Sequence, residues 1–183
     1  TREIPLVVRA DRASDILFLI NFSVEKNIRL IIRGGSEAWM VAKQLANTKT
    51  PVILEPINNL PGSFDQLGAR LDNASLLEKA GVKILIASHE THNSYLSRQA
   101  AGIAVSYGLP WDVALKSLTS NVAEVFGLKK IGMIEIGYKA DLIIWGKDPL
   151  EISAFAEQIY ISGKLMSNES RSTRLRDRYL NLD

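Results

Sequence analysis

The chain has 183 residues, 46% of them apolar and 23% charged, and a net charge of +2. That is enough for one domain, or one large domain fragment, with a substantial core, and so small a net charge creates no field that would attract nucleic acid or an anionic membrane. The absence of cysteine excludes disulfides and thiolate zinc sites, and no apolar run reaches the roughly 18 residues of a membrane-spanning helix.

The first element is a β-branched run, Ile4 to Val8, read as a strand ending near Arg9-Ala10-Asp11. Ala13, Ile16, Leu17, Ile20 and Val24 then recur at helical spacing. A second strand, Ile28 to Ile32, ends at Arg33-Gly34-Gly35-Ser36, and Ala38, Val41, Ala42 and Leu45 form the next helical stripe. The third strand, Pro51 to Leu54, ends at Glu55-Pro56. A loop rich in Asn, Pro and Gly follows, then a helix expected from about Asp65 to Lys79 and closed by Gly81. The fourth strand is Val82 to Ala87, with the next helix marked by Leu96, Ala100, Ile103, Ala104 and Tyr107. Strands alternating with helices through short links predict parallel βα units.

After Gly108-Leu109-Pro110 the pattern changes to two short helices, the second opened by Asn121 with Glu124 three residues on and closed by Gly127. From Ile131 the chain reads as β: Gly132 to Gly137, Ala140 to Trp145, then Gln158 to Ile161 and Lys164 to Met166 as a hairpin around Ser162-Gly163. The charged end carries Leu175, Tyr179 and Leu182 at helical spacing.

Both histidines of the chain, His89 and His92, fall on the loop after the fourth strand with Glu90 between them. In parallel α/β proteins ligands meet the carboxyl edge of the sheet, which makes this loop a candidate site. A His-x-x-His pair is by itself a weak sign of zinc, and the plainer reading is a polar loop.

Three motifs follow one another here: Ala114 to Gly127, with Leu118-Thr119-Ser120-Asn121 at a helix start; Gly132 to Trp145, with its Gly-x-Ile-x-x-Gly turn and Ala140-Asp141-Leu142 strand; and Asp148-Pro149-Leu150. On these residues the stretch 81–149 resembles the C-terminal half of the metal-dependent amidohydrolases, especially the imidazolonepropionase-related group. The resemblance implies an α/β fold: half of a TIM-like (β/α)8 barrel, four βα units, followed by short helices and part of a small accessory β-sandwich. Residues 1–130 are expected to form the barrel half with trailing helices, residues 131–169 the accessory unit, and residues 170–183 a charged tail or helix. The first 80 residues look like the family's barrel strands five to seven. On that alignment the first four strands, with the family's His-x-His motif and its bridging lysine carboxylate or glutamate, lie outside this stretch.

What the resemblance implies about function is hydrolysis of a non-peptide C–N bond of the cyclic-amide type by the parent protein, acting on a small-molecule substrate. A divalent metal of the zinc type is implied with it, and no residue here is assigned as its ligand. Where the family places a His after strand five, this chain has Arg9-Ala10-Asp11; Asp11 can accept a proton, whereas Arg9 stays protonated and cannot ligate. Gly34-Gly35 offers no side chain where the family has its next His. Glu37 beside it is expected in the first turn of its helix. Ser88-His89 stands where the family has Ser or Thr followed by Asp, and a neutral imidazole serves as base near neutral pH. His89 and Asp11 are therefore the catalytic candidates, and Arg9, Glu55, Arg33 and His92 the substrate-binding candidates. The ligand set is eroded, so the alternative is a catalytically inactive scaffold or binding protein. Four βα units with uncovered strand edges also predict either a preceding barrel half or self-association. Trp39, Trp111 and Trp145 are read as packing residues.

Overall fold

The structure, a computed structural model, describes residues 4–88, 91–167 and 169–180. Its centre is a parallel sheet of strands β1 (Leu6–Ala10), β2 (Leu30–Gly34), β3 (Val52–Leu54) and β4 (Ile84–Ile86), side by side in chain order. Helices α1 (Ala13–Glu25), α2 (Ala42–Asn47) and α3 (Asn73–Lys79) connect them, and α4 (Ser97–Ser106), α5 (Trp111–Leu118) and α6 (Ser120–Phe126) follow. Strands added one after another, each through a helix, make an arrangement compatible with part of a TIM-like barrel.

Residue alternation along the strands divides the sheet into two faces. Leu30, Ile32, Val52, Leu54, Ile84 and Ile86 point at the helices and pack with Ile16, Ile20, Leu45, Leu77 and Ala104 in the main core. Each such aliphatic side chain contributes about 1.5 to 3 kcal/mol on full burial. On the other face Ile31, Leu85 and Ile53 form a second cluster, covered by Val122 and Val125 of α6. Burial on both faces explains why β2 to β4 read as unbroken apolar runs. On β1, by contrast, Leu6 and Val7 remain exposed.

Asn121 does more here than open a helix. Lys83 and Ala87 bond to β3, so the alternate carbonyl, of Ile84, is directed to the far edge of β4, where Asn121 Nδ2 donates to it at 3.0 Å. The expected capping box is not formed: Thr119 precedes the helix without a side-chain cap, and Glu124 pairs with Lys83. Gly127 does close α6 in the left-handed conformation, at φ 69°.

Two other expectations change. The helix expected from Asp65 is α3 alone, because the Gly68 N–H donates to Glu37 Oε1 at 3.0 Å and its carbonyl accepts from Trp39 Nε1 at 2.8 Å. A backbone spent on side chains cannot also make helical bonds. In α1 the buried face is Ile16, Ile20 and Ser23, whereas Val24 is exposed; Ser23 is satisfied by donating to the Ile20 carbonyl at 2.7 Å.

The remaining strands, β5 (Leu142–Trp145), β6 (Ala156–Ile161) and β7 (Lys164–Leu165), form an antiparallel sheet. Ser162 and Gly163 both have positive φ, 51° and 78°, as a type I′ hairpin turn requires. Residues 132–137, expected as β, form turns, with Ile134 and Ile136 in solvent. Helix α4 holds this unit through Arg98, which donates to the carbonyls of Pro149, Glu151 and Ala154 and lies 4.5 Å over the Trp145 ring. Trp111 Nε1 adds a bond to Asp148 at 2.9 Å. The charged end is helix α7 (Arg171–Leu180).

Candidate functional site

The four parallel strands end at one edge, and there the sequence places its charged residues. Arg9 and Arg33 are register partners on β1 and β2, so their side chains share the face opposite the main core. Glu55 follows β3 by alternation onto that same face, and Arg33 Nε donates to its Oε1 at 3.0 Å. The Glu55 side chain is 6% exposed and that of Arg33 39%.

Asp11 lies just past β1. Its Oδ1 accepts the Ser36 hydroxyl at 2.7 Å and the Ser36 N–H at 3.2 Å, and its Oδ2 is 3.7 Å from Arg9 Nε. This contact explains the glycines after β2. Gly34 has φ +93°, and a Cβ there would lie 2.7 Å from Asp11 Oδ1; Gly35 has φ +64°, and a Cβ there would lie 2.9 Å from Val52 Cγ1. Gly34-Gly35 therefore makes room for the Asp11 carboxylate to latch the second loop.

Glu37 acts across elements and not within its own turn. Its Oε2 accepts the Ala13 N–H at 2.9 Å, at the start of α1, while Oε1 holds Gly68. A carboxylate at a helix N-terminus satisfies an orphan N–H and complements the dipole. Beneath it, Asn73 is fully buried, donates to the Gly35 carbonyl at 2.9 Å, and leaves Oδ1 without a hydrogen-bond partner among the described residues. Trp39, read as a packing residue, also carries Arg70 4.7 Å above its ring. Arg70 grips Asp72, and this hydrogen bond, ahead of the charge attraction, holds the Asp72 carboxyl below its ordinary pKa.

Arg9, Asp11, Gly34, Ser36, Glu55, Asn58, Asn59 and Gln66 surround a cleft of about 20 Å³. That holds roughly one water molecule, so an organic ligand has to sit above the cleft, among the side chains of the mouth. Of the sequence candidates, Arg9, Asp11, Arg33 and Glu55 are thus brought to one strand edge. His92 is exposed on the 3₁₀ segment Thr91–Leu96 and does not line the cleft. His89 lies outside the described residues. Ser36, Asn58, Asn59 and Gln66 were missed by sequence reasoning; the only signal for Ser36 was its place after Gly-Gly at a strand end.

The described residues do not assemble a metal site. No three of His, Cys, Asp or Glu among them come together to hold an ion. Asp11 is bonded to Ser36 and Glu55 to Arg33, and two guanidinium groups stand beside them, so the described donor set does not fit a divalent cation.

Comparison with known proteins gives a consistent result. The model of the amidohydrolase family matches residues 13–166. An amidohydrolase of Hapsidospora irregularis is 40% identical over 58 residues, 31% of this chain and 6% of the relative. An adenine deaminase of Bdellovibrio bacteriovorus is 31% identical over 144 residues, 79% of this chain and 20% of the relative. The crystal structure of an amidohydrolase from Thermotoga maritima superposes with a TM-score of 0.84 at 32% identity, over 92% of this chain and 44% of that one. The chain thus spans less than half the length of each of these proteins.

Proposed function

The chain belongs to the amidohydrolase family, and from that premise we propose that it is the C-terminal barrel half of a hydrolase acting on a non-peptide C–N bond of the cyclic-amide type, with a reduced metal-ligand set. The family implies a divalent metal, which the described donors do not fit. The observation that supports this reading is the gathering of Arg9, Asp11, Arg33 and Glu55 at the carboxyl edge of four parallel strands in a chain of this family. Within the family we assign it to the imidazolonepropionase-related group.

In this reading His89, which follows β4 in the chain, accepts a proton from water as its oxygen adds to the carbonyl carbon. The proton returns to the departing nitrogen as the C–N bond breaks. Asp11 assists proton transfer, while Arg9, Arg33, Glu55 and, from the loop after β4, His92 contact the substrate. A complementary set of strands belongs to this reading too, because β1 leaves Leu6 and Val7 exposed at an edge. That set is either the preceding barrel half or a second copy of the chain; if it is a second copy, light scattering at micromolar concentration reports a dimer, and a monomer removes self-association.

A second reading, a binding protein without turnover, is favoured by the same carboxylates, since Asp11 is bonded to Ser36 and Glu55 to Arg33. The half barrel alone is expected to be inactive, so metal analysis of the full-length protein with a cyclic-amide panel separates the two. Turnover that disappears in His89→Ala supports the hydrolase, and no bound metal together with no His89-dependent turnover sinks it.

A further inference from the structure

We propose that the chain binds a small amphipathic monoanion, an aliphatic carboxylate, in a pocket at the amino edge of the parallel sheet, the end of the strands opposite the mouth. The site is separate from the one assigned to hydrolysis and does not rest on that reading.

The pocket has a volume of about 450 Å³, within the roughly 300 to 1,000 Å³ of small-molecule sites. The loops that lead into β2, β3 and β4 form it, together with the end of α1 and with α6. β1, the strand at the sheet edge, contributes no lining residue, so the pocket does not depend on what pairs with that edge.

The floor is apolar. Leu30, Leu45, Val82 and Val125 line it, and none is more than 5% exposed. Two buried hydroxyls among them are already bonded, Ser23 to the Ile20 carbonyl and Thr50 to Thr48. The charged lining residues are less buried and make the rim: Arg29, Lys49 and Lys83 against Glu124. An apolar floor under a cationic rim suits an aliphatic tail with an anionic head.

Lys49 is the group that recognises the charge. Arg29 donates to the Val125 carbonyl and Lys83 pairs with Glu124. The Lys49 ammonium has no hydrogen bond or ion pair among the described residues. Its backbone is unusual as well. Helices α1, α2 and α3 end in the same closure, in which the N–H groups of Ile28, Thr50 and Val82 donate to the carbonyls of Ser23, Leu45 and Leu77 at 2.8, 2.9 and 3.0 Å. The residue before each donor is left-handed: Asn27 at φ 54°, Lys49 at 53° and Gly81 at 82°. Glycine reaches that conformation freely and asparagine tolerates it, whereas lysine is strained. The carbonyls of Gln44, Leu45 and Ala46 are already bonded by backbone N–H groups, so the helix does not need the ammonium as a cap. The pocket gives the strained lysine a purpose.

A single negative charge suits the place. Glu124 stands beside Lys83, and the C-terminal ends of three helices meet the pocket, so a dianion encounters more repulsion than a carboxylate. Residues 1–3, which precede β1 in the chain and lie outside the described residues, carry Arg2 and Glu3, one charge of each sign.

The test is a titration of the full chain with hexanoate, octanoate, octanamide and inorganic phosphate, followed by methyl NMR. The expected result is that octanoate shifts the methyl signals of Leu45, Val82 and Val125. Its affinity should exceed that of hexanoate by about fourfold per added methylene, and that of octanamide by about fivefold or more. Lys49→Gln and Lys49→Gly should each weaken octanoate about fivefold and leave octanamide unchanged. Lys49→Gly should also unfold at a higher temperature than Lys49→Gln, because it relieves the left-handed strain. Equal binding of octanoate and octanamide, tighter binding of phosphate, affinity independent of chain length, shifts that fall elsewhere, no binding, or octanoate affinity unchanged in both variants each overturns the proposal.

Discussion

Glu37 Oε2 accepts the backbone N–H of Ala13 at 2.9 Å, so a residue of the loop after β2 caps the helix that follows β1. Arg12, which occupies the N-cap position of α1, makes no side-chain cap bond of its own. The same carboxylate holds Gly68, so one side chain ties three segments behind the mouth of the site.

Glu37→Ala removes both acceptors. It is expected to destabilise the protein by about 2 to 3 kcal/mol, the sum of a lost cap and a lost charge-assisted bond. Glu37→Gln keeps one acceptor oxygen and should lose less. Urea denaturation checks this: the midpoint should fall in the order wild type, Gln, Ala with an unchanged slope.

At Gly34 the backbone has φ +93°, and an added Cβ would stand 2.7 Å from Asp11 Oδ1. Gly34→Ala should therefore cost roughly 1 to 3 kcal/mol in backbone strain and lost Asp11–Ser36 bonding. Ser36→Ala, which removes only the hydroxyl bond, is expected to cost about 1 kcal/mol. Thermal unfolding of the two variants ranks them, and equal stabilities would refute the close approach as the reason for glycine.

Gly102 on α4 faces the Leu150 carbonyl, and a Cβ there would lie 2.5 Å from that oxygen. Backbone cannot yield as a flexible side chain does, so Gly102→Ala should push the 148–154 segment away and break the Arg98 bonds to Glu151 and Ala154. The expected signature is local. Hydrogen exchange should accelerate in β5 to β7 while β2 to β4 keep their protection.

The Arg70–Asp72 pair fixes a direction for acid titration. Its hydrogen bond lowers the Asp72 pKa, so its contribution is fully present above the unfolded carboxylate value of about 3.9 and is lost as pH falls through the lower folded value. Both side chains are more than one-third exposed, at 43% and 37%, so solvent screening keeps the effect on stability small. Carbon-detected NMR of the Asp72 carboxyl is the sensitive readout. In Arg70→Gln its titration should move up towards the ordinary range, and an unmoved titration would show that Arg70 is not the cause.

How much of the site was legible depends on where each residue's partner lies. Arg9, Asp11, Arg33 and Glu55 could be named from sequence because strand ends are visible as breaks in apolar runs, and parallel strands bring their ends to one edge. What each side chain does there was not legible. Asp11 was read as a proton acceptor, and its bond to Ser36, 25 residues away, could not be seen. Gly34-Gly35 looked like a lost side chain and instead accommodates that carboxylate. The stretch before α3 looked helical because its residues suit a helix, but Gly68 gives its backbone to Glu37 and Trp39.

Sequence alone determined the alternation of four strands with helices, the hairpin turn at Ser162-Gly163 and the glycine stops at Gly81 and Gly127, all at positive φ for the glycines. These follow from the period of apolar residues and from conformations that glycine reaches without a Cβ penalty, and both are local properties. Tertiary structure alone decided that Asn121 covers the Ile84 carbonyl, that Glu37 caps Ala13, and that Arg9 stands beside Arg33 with their acids behind them. Those pairings depend on strand register and on which loop lies against which. Register is settled when whole faces are buried together, and no short window of sequence contains that information.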